Sequence, residues 1–415
     1  MKLFVGIDSS KKTNQCCIVD DSGHRLKEIC VTNNLSGANK LEYIIAEQAR
    51  NLSVKSIKVG TEATDFYDFH ILEFLASSET LEEYQTIFYR FNPRVIKAFK
   101  PSLRIREKTD PDDAYATAEY LRFQAEHAEQ YRAKMAHLPL QRLTRFRCHL
   151  VEQLVREKNY FLNQLFLKFS AFEKKEPFSN TFGATAVAVI SEFMTPEAIA
   201  NASTEELVDF VIKHGKNRFS NPEEIVKKLQ YVARESYRLK PALAESVHHI
   251  LCLSLANIRA LTANLKKLDA TIDKQLNTFT QTLTSIKGIG NVYAAGIFSE
   301  IGDITRFPGE EQIARFAGLA WLRHQSGNFE AQTTRLDRQS NEYLRYYLVE
   351  AADSLRRHNT DFGAYYQKKY AEVTRHQHKR ALVLTARKLV RLVDALLRTN
   401  ELYQPAKQTK HQETV

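Results

Sequence analysis

Four carboxylates stand where strand and helix patterns would expose them. Asp8 closes the apolar run Phe4-Val5-Gly6-Ile7, and Glu62 follows a second apolar run, Ile57 to Gly60. Farther on, Lys108-Thr109-Asp110-Pro111-Asp112-Asp113-Ala114 sets Asp110 and Asp113 three residues apart, an interval that puts both on one helix face. Carboxylates are hard oxygen donors for Mg2+ or Mn2+. A set of them can hold the ions of two-metal phosphoryl transfer, which activate a water or hydroxyl and stabilise the leaving oxygen. Taken singly, each residue also has a plain structural use. An aspartate after a strand is a common cap, and Asp110 before Pro111 would be the N-cap of the next helix. Their joint placement carries the metal reading. Asp112 reads as a solvated first-turn charge favourable to the helix dipole, and Asp20, Asp65 and Asp68 read as surface charges.

The elements that must position these groups follow from periodicity. Leu3, Val5 and Ile7 alternate, Gln15 to Val19 follow a polar turn, and Asp21-Ser22-Gly23 turns the chain into Leu26 to Val31. This is a three-stranded antiparallel meander. Leu41, Ile44, Ile45 and Ala49 predict a helix over 38–50. Strands are expected at Ile57–Thr61 and Tyr84–Tyr89, with helices through Phe69, Leu72 and Leu75, at Pro93–Phe99, and from Pro111. The resulting order, βββαβαβα, is that of an RNase H-like α/β domain over residues 1–125. In it the Glu62 strand lies beside the Asp8 strand.

From 126 to 279 the pattern is helical. Leu143, Phe146, Leu150, Leu154, Phe161, Leu165 and Phe169 mark one long amphipathic helix, and Leu251 to Leu276 a second. Such 3–4 spacing makes a coiled-coil or helix-hairpin seam, serving either an antiparallel hairpin within the chain or dimerisation. Residues of about 170–240 read as an inserted helical lobe. A C-terminal, mostly helical domain spans 280–404, and 405–415 is polar and reads as a disordered tail.

The bulk properties agree with a nucleic-acid partner. The net charge is +10 and the isoelectric point about 9.2, a balance suited to phosphate neutralisation. Arg94, Lys97, Lys100, Arg104, Arg106 and Lys108, together with Arg90, precede the acidic block and would hold a polyanion there. Arg375, Lys379, Arg380, Arg387, Lys388 and Arg391 lie on helical ground as a phosphate track or a merely solvated face. Lys287-Gly288-Ile289-Gly290 resembles one helix-hairpin-helix element, in which Gly288 and Gly290 let backbone N–H groups meet a phosphate; a tight turn is the plainer reading. No apolar run approaches the roughly 18 residues that span a bilayer, and the first residues read as a strand, not a secretion signal. The five cysteines form no CxxC pair and read as buried, reduced thiols of a cytosolic protein.

These residues together resemble the insertion-sequence transposases of the IS-one-ten group, which join an N-terminal DEDD, RuvC-like domain to a C-terminal transposase domain. The resemblance rests on Gly6-Ile7-Asp8, Glu62-Ala63-Thr64, Asn92-Pro93 with Val95, Phe99, Lys100 and Ser102, and Lys108-Thr109-Asp110 with Asp113-Ala114. Downstream it rests on Gly288-Ile289-Gly290, Ile301-Gly302-Asp303-Ile304, Arg306-Phe307, Phe316-Ala317-Gly318-Leu319, Gln325-Ser326-Gly327, and Asn341 with Leu344-Arg345. Asp65, Lys287 and Ser340 depart from the family's usual glycine, proline and glycine. The resemblance implies a DNA recombinase in which Asp8, Glu62, Asp110 and Asp113 hold Mg2+ or Mn2+ and Ser326 is a nucleophile on DNA. Without the resemblance, Ser326-Gly327 is a plain turn. It also implies contacts from Arg323 and Arg345, donor and target DNA, a structured element-encoded guide RNA, a homo-oligomer (dimer or tetramer), and a cytoplasmic, nucleoid-associated place in a prokaryotic cell. The rival readings are a stand-alone RuvC-like nuclease, which needs no Ser326, and a non-catalytic nucleic-acid binder.

Overall fold

The computed structural model describes residues 1–63, 66–103, 109–126, 128, 130–131, 136–322, 325–326, 329–330, 335–336 and 340–405, the backbone alone at 322 and between 325 and 336. The chain divides into two compact units, Met1–Met135 and Ala136–Val415.

In the first unit, β1 (Lys2–Ser9), β2 (Thr13–Val19) and β3 (Arg25–Thr32) form the expected antiparallel meander. The second turn is shaped by Asp20, whose Oδ1 accepts from the N–H groups of Ser22 (2.8 Å) and His24 (2.9 Å), while Gly23 takes φ +83°. Asp20 is thus a turn former, which its reading as a surface charge missed. β4 (Ser56–Glu62) runs parallel to β1, and β5 (Ile87–Phe91) parallel to β4, giving the sheet order β3-β2-β1-β4-β5. This is the RNase H-like arrangement expected. β5 starts three residues later than its apolar pattern suggests. Gln85 closes a turn onto Glu82 with φ +48°, which no strand can continue.

Both sheet faces are covered. Leu3, Val5 and Ile7 pack with Leu41, Ile45 and Ala49 of α1 (Leu35–Asn51) and with Leu72 and Leu75 of α2 (Phe69–Ala76). A short α3 (Glu79–Glu82) leads into β5 and α4 (Pro93–Phe99) follows it. The even face, with Phe4, Cys17 and Val19, packs on α5 (Asp110–Gln124) through Ala114, Ala118 and Leu121. Cys16, Cys17 and Cys148 are buried and unpaired, but Cys30 is exposed and Cys252 half-buried, so only three of the five are core thiols. Cys30 lies on β3, whose outer positions face solvent.

In the second unit α6 (Leu138–Lys168) and α12 (Pro241–Leu276) lie antiparallel. Arg147 pairs with Asp269 at 2.6 Å, Ser254 donates to Glu157 at 2.6 Å, and Lys168 Nζ meets His248 Nδ1 at 3.0 Å, so the numbering runs in opposite senses along the contact. The two apolar stripes therefore pair within the chain. Phe146 is the exception, at 52% exposed. Between them α7 (Phe172–Lys175), α8 (Ala184–Glu192), α9 (Pro196–Asn201), α10 (Thr204–Gly215) and α11 (Pro222–Glu235) form a lobe. Its core joins Val187, Ile190, Val211 and Leu229 to Phe161, Leu165, Leu251 and Leu255 of the long helices.

The opposite ends of α6 and α12 share a second core with α13 (Asn291–Ile301), α14 (Glu310–Phe316), α15 (Glu342–His358), α16 (Thr360–Ala371) and α17 (Gln377–Thr399). Between α14 and α15, β6 (Trp321–Leu322) pairs with β9 (Arg335–Leu336), and β7 (Gln325–Ser326) with β8 (Phe329–Glu330). Residues 406–415, expected to be a disordered tail, lie outside the described residues. Among the described residues no helix is long and apolar enough to cross a membrane.

Candidate metal and nucleic-acid site

The parallel register brings two of the acids together. Gly6 pairs with Gly60 and Ile7 with Thr61, so Asp8 and Glu62 are the next neighbours on β1 and β4, on the face that carries Phe4 and Lys58. α5 lies on that face at unusually short range. A Cβ on Gly6 would stand 2.1 Å from the Ala114 carbonyl oxygen and 2.4 Å from the Ala118 nitrogen, and one on Gly60 would meet Leu121 at 2.8 Å. Only glycine admits such a backbone approach. The first turn of α5 is thereby delivered to the strand ends where Asp8 and Glu62 emerge.

That turn is capped by Thr109, not by Asp110. Thr109 is extended (φ −127°, ψ 147°), its hydroxyl accepts from the Asp112 N–H and donates to Asp112 Oδ2 at 2.6 Å. Asp110 is the first helical residue and is exposed, while Asp113 is 8% exposed. Asp112 is held by Thr109 and by Arg25 at 3.6 Å, so it is a fixed and not a freely solvated charge. Asp113 Oδ1 accepts from the ammonium of Lys100, which opens a 3-10 turn (Lys100–Leu103) directly after α4. Lys100, expected to face phosphate, thus sits within the acidic site itself.

Two expectations fail on the other face of the sheet. Asp68 is fully buried, accepting from Arg90 Nε and Nη2 (2.8 Å for the latter) and from the Thr61 hydroxyl at 3.1 Å. Asp68 is therefore no surface charge, and Arg90 no cation awaiting DNA; they form a structural ion pair. A sequence shows the two residue types but not the crossover that joins them. Of the remaining cations near the acids, Arg94 and Lys97 are exposed on α4. Arg104, Arg106, Lys108 and Asp65 lie outside the described residues.

In the second unit, Gly288 takes φ +107° and Gly290 is the N-cap of α13, with no atom within 4 Å of a Cβ built there. The helix that should precede the hairpin is a single 3-10 turn, Leu283–Ser285, so the helix-hairpin-helix likeness covers only its second half. The C-terminal track is also less available than expected. Arg380 pairs with Glu372 at 3.0 Å, and Arg387 and Arg391 both reach Glu310, whose carboxyl the Arg387 hydrogen bond holds below the usual range. Lys388 lies 4.8 Å over the rings of Phe362 and Tyr365, and Arg345 donates to Ser340 Oγ at 2.9 Å. Arg375 and Lys379 are exposed. Intramolecular acids take Arg380, Arg387 and Arg391 because α17 packs beside α14 and α16, a tertiary fact that spacing does not carry. Arg323, and the side chain of Ser326, lie outside the described residues.

One buried polar group was not foreseen. The Glu300 carboxylate accepts from Arg145 Nε (2.7 Å) and Nη2 (2.8 Å), Gln141 Nε2 (3.2 Å) and Asn341 Nδ2 (2.7 Å). Asn341 also caps α15, its Oδ1 accepting from the Leu344 N–H at 3.0 Å. The sole signal in the sequence is one acid near the end of an otherwise apolar helix, Val292 to Ile301.

The donor chemistry at the strand ends fits a hard divalent ion, with carboxylates on two adjacent strands and a helix first turn. Among the described residues no three His, Cys, Asp or Glu side chains are grouped so as to hold a metal ion, and Asp113 engages Lys100. Asp8, Glu62 and Asp113 are the groups that would hold the ion, with Asp110 at the rim.

The sheet order is that of the RNase H-like class. A DEDD transposase family model matches residues 5–169, and a model described as the Transposase IS116/IS110/IS902 family matches residues 280–367. The chain belongs to this family of insertion-sequence transposases. It is 24% identical to the insertion element IS116 uncharacterized 44.8 kDa protein of Streptomyces clavuligerus, over 98% of this chain and 97% of that one. It is 33% identical to the transposase for insertion sequence element IS1111A of Coxiella burnetii, over 30% of this chain and 34% of that one. Among solved structures, RuvC of T. thermophilus in complex with a Holliday junction substrate matches with a TM-score of 0.25 at 14% identity, covering 32% of this chain and 100% of that one. The strand order β3-β2-β1-β4-β5 defines the fold of the first unit.

Proposed function

We propose that this transposase cuts and rejoins DNA with a divalent-metal site at Asp8, Glu62, Asp110 and Asp113 and with Ser326 as nucleophile. The observation that carries the metal half is the placement of Asp8, Glu62 and the α5 first turn at one end of the sheet. When bound, Mg2+ or Mn2+ supplies a Lewis acid that lowers the cost of charge on the attacking and departing oxygens. The carboxylates orient that charge, and Arg94 and Lys97 bind the flanking phosphates. In the serine step Oγ loses its proton as it forms a bond to phosphorus, the phosphorus–deoxyribose oxygen bond breaks, and the departing oxygen takes up a proton. Rejoining is the reverse, with a DNA hydroxyl displacing the serine. The family resemblance adds a structured guide RNA and a homo-oligomer. Base pairing would then supply most of the sequence choice.

The test is recombination of donor and target plasmids by protein purified with its RNA. Asp8→Ala, Asp113→Ala and Ser326→Ala should each abolish product, and RNase treatment before assembly should do the same. Full activity of Ser326→Ala with loss in Asp8→Ala would instead fit a stand-alone nuclease. DNA binding with no metal-dependent product in any variant would fit a binding protein.

A further inference from the structure

We infer that Lys100 is a resident cation of the carboxylate site, exchanging between Asp113 and a DNA phosphate, so that divalent metal and DNA bind cooperatively. The inference rests on reading Asp8, Glu62 and Asp113 as metal ligands. Its starting point is the ion pair itself: the Lys100 ammonium on Asp113 Oδ1, with side chains only 19% and 12% exposed.

Both partners stand on fixed backbone. Asp113 donates its N–H to the Thr109 carbonyl at 3.0 Å and accepts on its own carbonyl from the Thr117 hydroxyl at 3.0 Å. Ahead of Lys100, α4 is anchored by buried Ile96 and by Phe99, whose ring meets Tyr120 of α5 edge-on at 5.3 Å. The pair can therefore break without moving either helix. A lysine stem has four rotatable carbons and a compact charge with three donors, so it changes partner by rotamer alone. A planar arginine fork would not do so as readily.

A divalent ion on Asp113 meets the ammonium as a like charge at close range and expels it. The released group then stands at the strand ends beside exposed Arg94 and Lys97, where a phosphate held at the site must lie. Metal thus frees a cation for DNA. By linkage, DNA that takes the ammonium raises metal affinity by the same factor. Free protein carries its own counter-ion in the site and has weakened affinity for metal until DNA arrives.

The full-length protein tests this by Mn2+ titration, with the paramagnetic resonance signal of free Mn2+ as readout. Lys100→Met should bind Mn2+ roughly fivefold more tightly than the wild type without DNA, the order expected from removing one ion-pair competitor. Lys100→Arg, which keeps the charge, should stay as weak as the wild type. Duplex binding followed by fluorescence anisotropy should tighten when Ca2+ is added to the wild type, and most of that gain should vanish in Lys100→Met. Thermal unfolding confirms that the variants fold. If Asp8→Asn weakens Mn2+ binding but Lys100→Met leaves it unchanged or weaker, the Lys100 inference is overturned while the metal reading stands. If Asp8→Asn also leaves Mn2+ binding unchanged, the metal reading fails and the inference with it.

Discussion

The Ala114 carbonyl oxygen lies 2.1 Å from where a Cβ on Gly6 would stand. That contact holds α5 against β1 and sets the reach of its first turn. Gly6→Ala must push backbone from backbone, since no flexible side chain can yield. The expected loss of stability is about 2 kcal/mol or more, the upper range for overpacking. Gly290→Ala is the control. Gly290 has φ −82° and open space around its Cβ position, so only the weaker N-cap is lost and the cost should stay under about 1 kcal/mol. Denaturant unfolding of the two variants separates the cases.

Asp68 and Asp8 should differ in their response to loss of charge. Asp68 is buried against Thr61 and the half-exposed Arg90, and Asp68→Ala removes the acid that the Arg90 guanidinium grips. A cost of about 1–3 kcal/mol is expected, because the half-exposed guanidinium can be partly rehydrated. Asp8→Asn takes the charge from one proposed metal ligand and should lower the melting temperature far less than Asp68→Ala does. A fall for Asp8→Asn as large as that for Asp68→Ala would make Asp8 a structural residue.

Lys168 predicts a rise of stability with pH. Its ammonium is buried, donating to the Ile190 carbonyl at 2.6 Å and lying against His248 Nδ1, and burial pulls it down to about 8 from an ordinary 10.5. Between those values the unfolded chain binds more protons than the folded one, so unfolding free energy increases with pH. Below about 8 both states are protonated and the penalty of the buried charge is fully present. Above about 10.5 it is gone. Other groups titrate in the same window, so the check is the difference between wild type and Lys168→Met. That difference should shift steadily towards the wild type from pH 8 to pH 10.5. A difference that stays constant would contradict a buried charged lysine.

Much of the first unit was legible because its first strand alternates, its inner strands are short apolar runs and its turns have their own residue chemistry. Leu3, Val5 and Ile7 announce a face, and Asp21-Ser22-Gly23 announces a reversal. The adjacency of Asp8 and Glu62 followed from strand order alone. What stayed hidden was the choice of partner for each charge. Asp68, Arg90, Lys100, Arg387 and Glu300 look alike in sequence whether they face water, DNA or one another. Sequence distance conceals those pairings: 77 residues separate Arg387 from Glu310 and 155 separate Arg145 from Glu300. The cap of α5 moved from Asp110 to Thr109 for a local reason. Both residues can cap, and Thr109 holds the extended backbone the cap position needs.

The most direct measurement is capture of the covalent protein–DNA intermediate that a serine nucleophile requires. Protein with any RNA that copurifies, and with Mg2+, is given a suicide DNA substrate, nicked so that strand release prevents reversal, then denatured, digested and mapped by mass spectrometry. A nucleotide adduct on Ser326, absent in Ser326→Ala and absent in Asp8→Asn, is the predicted result. Recombinant product formed at the normal rate by Ser326→Ala, or an adduct that forms equally well in Asp8→Asn, would contradict it.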